Sequence, residues 1–196
     1  MQRLYLMRHG QTVYNLDRIL QGRCDSPLTE LGIEQARRAG AWLRNHGAAP
    51  VRLASSPLPR AHDTLDIVMD ENPSFAALPR SDEHGLIERC YGTYEEGPLA
   101  DLPVDPWVPG DALVEVGGDT TAEALGRMTT TIVRLLDESA GDVLCVSHGS
   151  VVNLFRASWE RLARCPQDVH LKNCCILVFD YDPAARTFSN TLIVNP

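Results

Sequence analysis

Three short apolar runs in this sequence each stop at a group of polar residues, and this recurrence limits the folds that the chain can adopt. The runs and their followers are Leu4–Met7 before Arg8 and His9, Val51–Ser55 before Ser56 and Arg60, and Val143–Val146 before Ser147 and His148. Short, nearly continuous apolar runs are typical of strands buried on both faces of a parallel sheet. Because parallel strands end at the same edge, the three polar groups are expected to meet there.

Helical patterns between these runs favour an α/β fold. Thr29 can cap a helix whose apolar residues recur every three or four positions as far as Leu43, and Thr120 or Thr121 can cap another that includes Leu135. Two more helices are predicted, one opening at Arg60 and one over Val151–Ala163. The alternation of strands and helices predicts a mainly parallel sheet with helices on both faces.

The last part of the chain predicts an antiparallel hairpin, because Cys174–Tyr181 and Thr187–Val194 flank the turn Asp182-Pro183. With 196 residues, 44% of them apolar, the chain suits one well-buried core. We therefore predict a single domain over 1–196, a three-layer α/β/α sandwich with a mainly parallel sheet and an antiparallel edge strand. Residues 72–118 are rich in proline, glycine and acids, which predicts a mostly irregular, lid-like insertion.

Charge and cysteine usage exclude several classes of function. The formal charge of −8 disfavours binding to nucleic acid or to anionic membrane surfaces. The apolar run Leu4–Met7 is too short for a signal peptide or a membrane span, so we expect a cytoplasmic protein. The six cysteines form no CxxC pair and are expected to be reduced.

The residues expected at the sheet edge suit a phosphate group. Arg8 and Arg60 carry planar guanidiniums that match phosphate oxygens, and His9 can act as the nucleophile while His148 donates a hydrogen bond. The backbone amides of Gly10 and Gly149 are candidate further donors. Glu88, in the segment able to fold over this edge, supplies an acid.

A metal site is the competing interpretation of the same residues. His9, His148 and Glu88 are residue types that bind zinc. The two neighbouring guanidiniums would repel a cation, so we expect neither a metal nor another cofactor.

Three motifs in order resemble the histidine phosphatase superfamily, also called phosphoglycerate mutase-like. They are Leu6-Met7-Arg8-His9-Gly10-Gln11-Thr12, Ser55-Ser56-Pro57-Leu58 with Arg60, and Ser147-His148-Gly149. The resemblance covers nearly the whole chain. It implies that His9 accepts the phosphoryl group, that Arg8, Arg60 and His148 bind phosphate, and that Glu88 donates the proton. It also places Asn15 and Gln21 in the pocket lining.

The middle segment points to two kinds of substrate. Glu88-Arg89-Cys90-Tyr91-Gly92 resembles a stretch of the true mutases, whereas Tyr91-Gly92-Thr93-Tyr94-Glu95 resembles a sugar-phosphatase branch. Arg89, Tyr91 and Gly149 are the candidate substrate contacts. The family's mutases are longer, with an insertion after this segment, which favours a phosphatase here.

We therefore expect a metal-independent phosphatase of small phosphoesters, either sugar phosphates or phosphoglycerate-like metabolites. A phosphoglycerate mutase is one alternative. A noncatalytic sensor of phosphorylated ligands is another, and a homodimer remains open.

Overall fold

Six strands form one mixed sheet in the computed structural model, which describes residues 1–196. The strands are β1 (Gln2–Arg8), β2 (Arg52–Ser55), β3 (Arg80–Asp82), β4 (Val143–Ser147), β5 (Ile176–Asp182) and β6 (Thr187–Val194). Their order across the sheet is β3-β2-β4-β1-β5-β6. The first four of these run parallel, whereas β5 is antiparallel to both β1 and β6. The predicted fold class is confirmed.

Five helices accompany the sheet: α1 (Val13–Leu16), α2 (Glu30–Asn45), α3 (Pro59–Asp70), α4 (Thr121–Asp137) and α5 (Gly149–Ser158). Thr29 caps α2 by accepting a hydrogen bond from the Gly32 N–H. Thr120 caps α4 in a reciprocal pair with Glu123. None of these helices is long and apolar enough to cross a membrane.

Alternate residues of the central strands face opposite sides of the sheet, and this alternation creates the three layers. Leu4 and Leu6 of β1 belong to one buried apolar cluster, together with residues of α4 and α5. Tyr5 and Met7 belong to a second cluster, with residues of α2 and α3. The central strands are therefore buried on both faces, which explains why they form uninterrupted apolar runs.

The register of the strands brings their carboxyl ends together. Arg8 at the end of β1 is opposite Ser147 at the end of β4, and the His9 N–H donates to the Ser147 carbonyl. On the other side, the Ser56 N–H that follows β2 donates to Val146 of β4. These contacts collect the polar residues after all three strands at one edge.

The structure differs from the sequence expectations in three elements. Within 72–118, β3 pairs with β2 as a parallel edge strand. Its three residues are too few for an apolar period to be recognised. The predicted helix Val151–Ala163 begins earlier, at Gly149, and its end is the separate 3-10 turn Glu160–Leu162. Strand β5 begins at Ile176 because Cys174 has φ 58°, which bends the chain.

The rest of 72–118 is irregular chain with five short 3-10 turns. The Leu20 N–H donates to the Gly97 carbonyl, and the Leu99 N–H donates to the Arg18 carbonyl. These bonds attach the segment to the loop after α1.

The loop after β1 lies against the start of α2 so closely that only glycine fits at position 32. A Cβ at Gly32 would stand 2.1 Å from the Gln11 carbonyl oxygen. Gly32→Ala should therefore lower the free energy of unfolding by about 1–3 kcal/mol, even though alanine is the better helix former.

The matched control is Gly126→Ala in α4, where nothing lies within 4 Å of the added Cβ. It should raise the free energy of unfolding by about 0.5–1 kcal/mol. Urea unfolding of both variants measures the difference, and equal effects of the two changes would contradict the close approach of α2.

Candidate active site

A cavity of about 110 Å³ opens at the carboxyl edge of the sheet, where the three polar strand ends meet. The sequence-predicted residues that line it are Arg8, His9, Asn15, Gln21, Arg60, Glu88, Tyr91 and Gly149. His148 is fully buried, and its ring centroid lies 5.2 Å from that of His9. We call this cavity the phosphate pocket.

The hydrogen bond of the His9 ring sets which nitrogen can react. His9 is buried, and its Nδ1 donates to the Gly10 carbonyl oxygen at 2.7 Å. Because a carbonyl only accepts, the proton of the neutral ring sits on Nδ1 and the lone pair is left on Nε2. Nε2 is therefore the nitrogen of this ring that keeps a free lone pair.

Both arginines of the pocket are held by backbone carbonyls. Arg60 donates from its two Nη atoms to the carbonyls of Gly22 and Cys24, each at 2.6 Å, and Arg8 donates to Leu171 at 2.9 Å. The Nε atoms of Arg8 and Arg60 are buried and have no partner within the chain. Buried donors of this kind suit an anionic oxygen.

Burial and positive charge keep both histidines neutral. Burial, followed by the charges of Arg60 and Arg8, holds the pKa of His9 well below its ordinary value. The pKa of His148 is lowered in the same way, by burial first and then by Arg60. Neutral His9 is the form that can attack a phosphorus atom.

His148 gains a hydrogen-bond donor through Ser56. Its Nε2 lies 2.7 Å from Ser56 Oγ, and that oxygen already accepts from the Leu58 N–H. The Ser56 hydroxyl can donate to Nε2, and in that tautomer the proton of the neutral His148 ring is on Nδ1. Nδ1 is buried and has no hydrogen-bond partner within the chain.

Glu88 joins the 72–118 segment to the start of α5. Its Oε1 accepts from the N–H groups of Arg89 and Val151 at 2.8 and 3.1 Å, and its Oε2 accepts from Ser150 at 3.0 Å. These bonds satisfy helix-terminal N–H groups of α5, whose own N-cap residue, His148, makes no side-chain cap. A carboxylate has about four lone-pair sites, so one is left for a proton.

Arg89, a predicted substrate contact, does not line the phosphate pocket. Its guanidinium donates to the carbonyls of Gly110 and Asp119 and is almost fully buried. This placement gives Arg89 a part in holding the loop that precedes α4. Tyr91, the neighbouring prediction, does line the pocket, and burial raises the pKa of its hydroxyl.

Asn15 and Gln21 reach the pocket through the cap of α1. Thr12 caps this helix by accepting from the Asn15 N–H, while the Asn15 side chain accepts from the Thr12 N–H. The Thr12 hydroxyl donates to Gln21 Oε1 at 3.0 Å, which leaves the Gln21 amide nitrogen for a ligand.

The two candidate glycine amides differ. The Gly10 N–H donates to Thr64 Oγ1 and is therefore already used. Gly149 is the first residue of α5, a position whose N–H has no partner inside its helix. Its missing side chain is also required, because a Cβ there would stand 2.8 Å from Trp107 and 3.1 Å from Arg8 Nε.

Asp119 and Trp107 had no predicted role in the site, but both contact residues of the site or of the segment beside it. Asp119 accepts from Arg23, from Arg127 of α4 and from the Cys90 N–H, and these partners lower its pKa although burial opposes them. Trp107 lies over the Arg8 guanidinium, with the ring centroid 5.1 Å from Cζ. Neither residue belongs to the three motifs. The sequence signal that could have pointed to Trp107 as a site residue is its place in the irregular segment 72–118.

The cluster of side chains closest to a metal-binding arrangement lies outside the pocket. His62, Asp63 and Asp66 of α3 bring ligand atoms within 4.8 Å of one another, and Asp66 is already paired with Arg80. His9, His148 and Glu88 do not form such a group. The charged residues that line the phosphate pocket are Arg8, Arg60 and Glu88, a net charge of +1 in an acidic chain.

The lowered histidine pKa values predict a loss of stability in mild acid. The unfolded chain takes up protons at His9 and His148 near pH 6.5 while the folded chain does not, so the free energy of unfolding should fall as the pH drops below about 6.5. Each histidine contributes up to about 1.4 kcal/mol per pH unit. His9→Gln should therefore show a shallower fall than the wild type between pH 6.5 and 5.

Chemical unfolding across this range measures the two slopes. Between pH 7 and 8 the slopes of the two proteins should coincide, because these histidines are then neutral in both folded and unfolded chains. Equal slopes in the acid range would show that His9 is protonated in the folded protein.

Comparisons with known proteins identify the family of the chain. The model of the histidine phosphatase superfamily (branch 1) matches residues 4–191. The chain is 31% identical to "Probable phosphoglycerate mutase GpmB" of Yersinia pestis, over 98% of this chain and 91% of that protein.

Solved structures share the fold at lower identity. A mycobacterial glucosyl-3-phosphoglycerate phosphatase, in a complex with VO3, has a TM-score of 0.77 at 24% identity and covers 98% of both chains. A phosphoserine phosphatase from Entamoeba histolytica, in complex with 3-phosphoglyceric acid, has a TM-score of 0.74 at 22% identity over 100% of this chain and 98% of that one. The family resemblance of the three motifs is thus confirmed over almost the whole sequence, and the chain belongs to branch 1 of the histidine phosphatase superfamily.

Proposed function

We propose that this protein hydrolyses small phosphoesters through a phosphohistidine at His9, without a metal ion. The observation that carries the proposal is the placement of the His9 Nε2 lone pair in a pocket with two buried guanidiniums. The Nε donors of these guanidiniums, together with Nδ1 of His148, have no partner within the chain. Arg8 and Arg60 line the same small cavity as His9, and the His148 ring centroid lies 5.2 Å from that of His9.

The first step transfers the phosphoryl group to the protein. His9 Nε2 forms a bond to phosphorus while the bond from phosphorus to the ester oxygen breaks. Arg8, Arg60 and His148 stabilise the charge on the three transferring oxygens. Glu88 gives its proton to the leaving oxygen, so the product departs as an alcohol.

The second step restores the protein. Glu88, now a carboxylate, accepts a proton from water as that water forms a bond to phosphorus. The bond between phosphorus and Nε2 breaks, phosphate leaves, and His9 is again neutral. Since Nδ1 of His9 keeps its hydrogen bond to Gly10, the ring can hold one orientation through both steps.

The charge distribution favours hydrolysis over phosphoryl return. A mutase must retain an intermediate that carries two phosphates, which requires a second cationic site. A larger cavity lies next to the phosphate pocket. Apart from Arg8, its charged lining residues are Asp17 and Arg18, whose opposite charges cancel. The pocket thus suits one phosphate group at a time.

Phosphoglycerate mutase activity is the second candidate, because the relative from Yersinia pestis bears that name. Incubation with 3-phosphoglycerate and a catalytic amount of bisphosphoglycerate distinguishes mutase activity from phosphatase activity. Formation of 2-phosphoglycerate faster than release of inorganic phosphate would favour the mutase. A phosphate sensor without catalysis would turn over neither substrate.

The phosphohistidine can be trapped directly. The protein is incubated with a ³²P-labelled phosphoester and quenched rapidly without acid. The wild type should then carry a labelled phosphate that is stable in base and lost in acid. His9→Ala should carry no label, because the attacking atom is gone. EDTA should leave the wild-type labelling intact, and a requirement for added zinc or magnesium would overturn the metal-independent mechanism.

Glu88→Gln should separate substrates by their leaving groups. Glutamine keeps the shape but does not donate the proton readily, so turnover of an alkyl phosphate should fall by about 10²–10⁴-fold. p-Nitrophenyl phosphate should lose much less, because its phenolate leaves without protonation. Measuring kcat for both substrates gives the ratio, and equal losses would assign the acid to another residue, with Glu95 the first to test.

A further inference from the structure

A second, larger cavity adjoins the phosphate pocket. It measures about 680 Å³ and shares Arg8, Asn15, Leu99 and Trp107 with the pocket. Its other walls include Gln11, Asp17, Arg18, Ala100, His170 and Asn173. We call it the outer chamber.

The volumes of the two cavities suit two different parts of a substrate. The phosphate pocket, at about 110 Å³, is far smaller than the 300–1,000 Å³ typical of small-molecule sites, whereas the outer chamber lies within that range. A phosphoryl group on His9 fills the first, so the leaving group of the ester extends into the second.

The polar groups of the outer chamber comprise both donors and acceptors. Asn15 uses its Oδ1 to accept from Asn173 Nδ2 and from the Thr12 N–H, so its own Nδ2 and the Asn173 Oδ1 remain for a ligand. Gln11 accepts from Thr29 through Oε1, which leaves its Nε2. Hydroxyl groups both donate and accept, so a polyol matches this mixture.

Asp17 distinguishes a polyol from a second anion. Its carboxylate lies in the chamber wall beside Arg18, the cation that the chamber adds to Arg8. An anionic substituent would be repelled by Asp17, whereas a hydroxyl can donate to Asp17 and accept from Arg18.

Apolar surface completes the chamber. Trp107 and Leu99 lie at its boundary with the phosphate pocket. The Trp107 carbonyl accepts from Asn153 and the Pro106 carbonyl accepts from Ser150, which fixes this segment to α5. The Trp107 indole, which packs on the Arg8 guanidinium, adds apolar surface that can contact the C–H groups of a sugar ring.

Arg18 occupies a backbone position that normally takes glycine. Its φ of 56° lies in the left-handed region, and the Ile19 N–H donates to the Tyr14 carbonyl, as in the turn that ends many helices. The guanidinium takes part in none of the ion pairs of the chain. An arginine at this position strains the backbone, and no ion pair within the chain compensates for that strain.

We propose that the outer chamber is the leaving-group subsite and takes a hydroxylated group of monosaccharide size, with Arg18 as a specificity-determining contact. This inference rests on the phosphatase function proposed above and narrows its substrates to sugar monophosphates. Trp107 supplies the apolar face, and the amides of Gln11, Asn15 and Asn173 bind ring hydroxyls.

The test uses Arg18→Gly, which removes the guanidinium and suits the left-handed backbone, so the variant should be at least as heat-stable as the wild type. Arg186→Gly is the matched control, because Arg186 also has a positive φ, 53°, and lies in the turn between β5 and β6. kcat/KM is measured for a panel of hexose monophosphates, for ethyl phosphate, whose leaving group is too short to fill the chamber, and for 3-phosphoglycerate.

The wild type should prefer at least one hexose monophosphate over ethyl phosphate by about tenfold or more. Arg18→Gly should lower that preference by about tenfold, the value of one charged hydrogen bond, while Arg186→Gly keeps it. If Arg18→Gly fails to fold, Arg18→Asn tests the same point, since asparagine tolerates this backbone.

Three results would overturn the inference. Equal preference in the wild type and Arg18→Gly would show that Arg18 does not contact the leaving group, and the turnover itself would still support a phosphatase. A preference for 3-phosphoglycerate over every sugar phosphate that disappears in Arg18→Gly would show an anion subsite. No turnover of any ester, p-nitrophenyl phosphate included, would refute the proposed function and the subsite together.

Discussion

The burial of the Arg60 guanidinium is the interaction on which the site depends. Only 1% of this residue is exposed, and an unpaired charge at such depth costs several kcal/mol. The carbonyls of Gly22 and Cys24 compensate part of that cost and thereby fold the loop after α1 over α3. The charge also acts on its neighbours, because it helps to keep His9 and His148 neutral. The neutral form of the two histidines and the conformation of the loop after α1 thus depend on one buried cation.

Glu88 couples the irregular segment to the sheet edge in a comparable way. Its carboxylate satisfies the N–H groups of Ser150 and Val151 at the start of α5, so the residue proposed as the acid also anchors the segment that covers the pocket. Asp119 reinforces this attachment through Arg127 and the Cys90 N–H. Glu88 is held by the first N–H groups of α5, and Asp119 holds the segment around it. The Glu88 carboxyl group can therefore keep its position when a substrate enters.

The two cavities are built from different parts of the chain. The phosphate pocket takes Arg8, His9 and Gly149 from the ends of β1 and β4, which are fixed by strand pairing, and its other lining residues from α3 and the loops. The outer chamber is built from loops, namely the end of α1, the 98–107 region and the 170–173 turn. Strand ends fix only part of the phosphate pocket, whereas the outer chamber depends on loops, which are the more variable parts of proteins.

The sequence alone determined the fold and which polar residues meet at the edge of the sheet. Apolar runs buried on both faces, a clear helical period before Leu43 and Leu135, and caps at Thr29 and Thr120 are local signals that the structure reproduces. Because parallel strands end at one edge, the residues that follow them had to meet. His9 and Arg60 could therefore be brought together without coordinates.

Only the tertiary structure decided the rest. Strand β3 is too short to have a period, and the direction of Arg89 away from the pocket depends on carbonyls of Gly110 and Asp119, far along the chain. The same holds for Trp107 over Arg8, and for Arg18 in the wall of the outer chamber. In irregular segments no repeat fixes which way a side chain points, so long-range packing sets it. Strand ends are specified by the pattern of neighbours in sequence, whereas loop side chains are specified by neighbours in space.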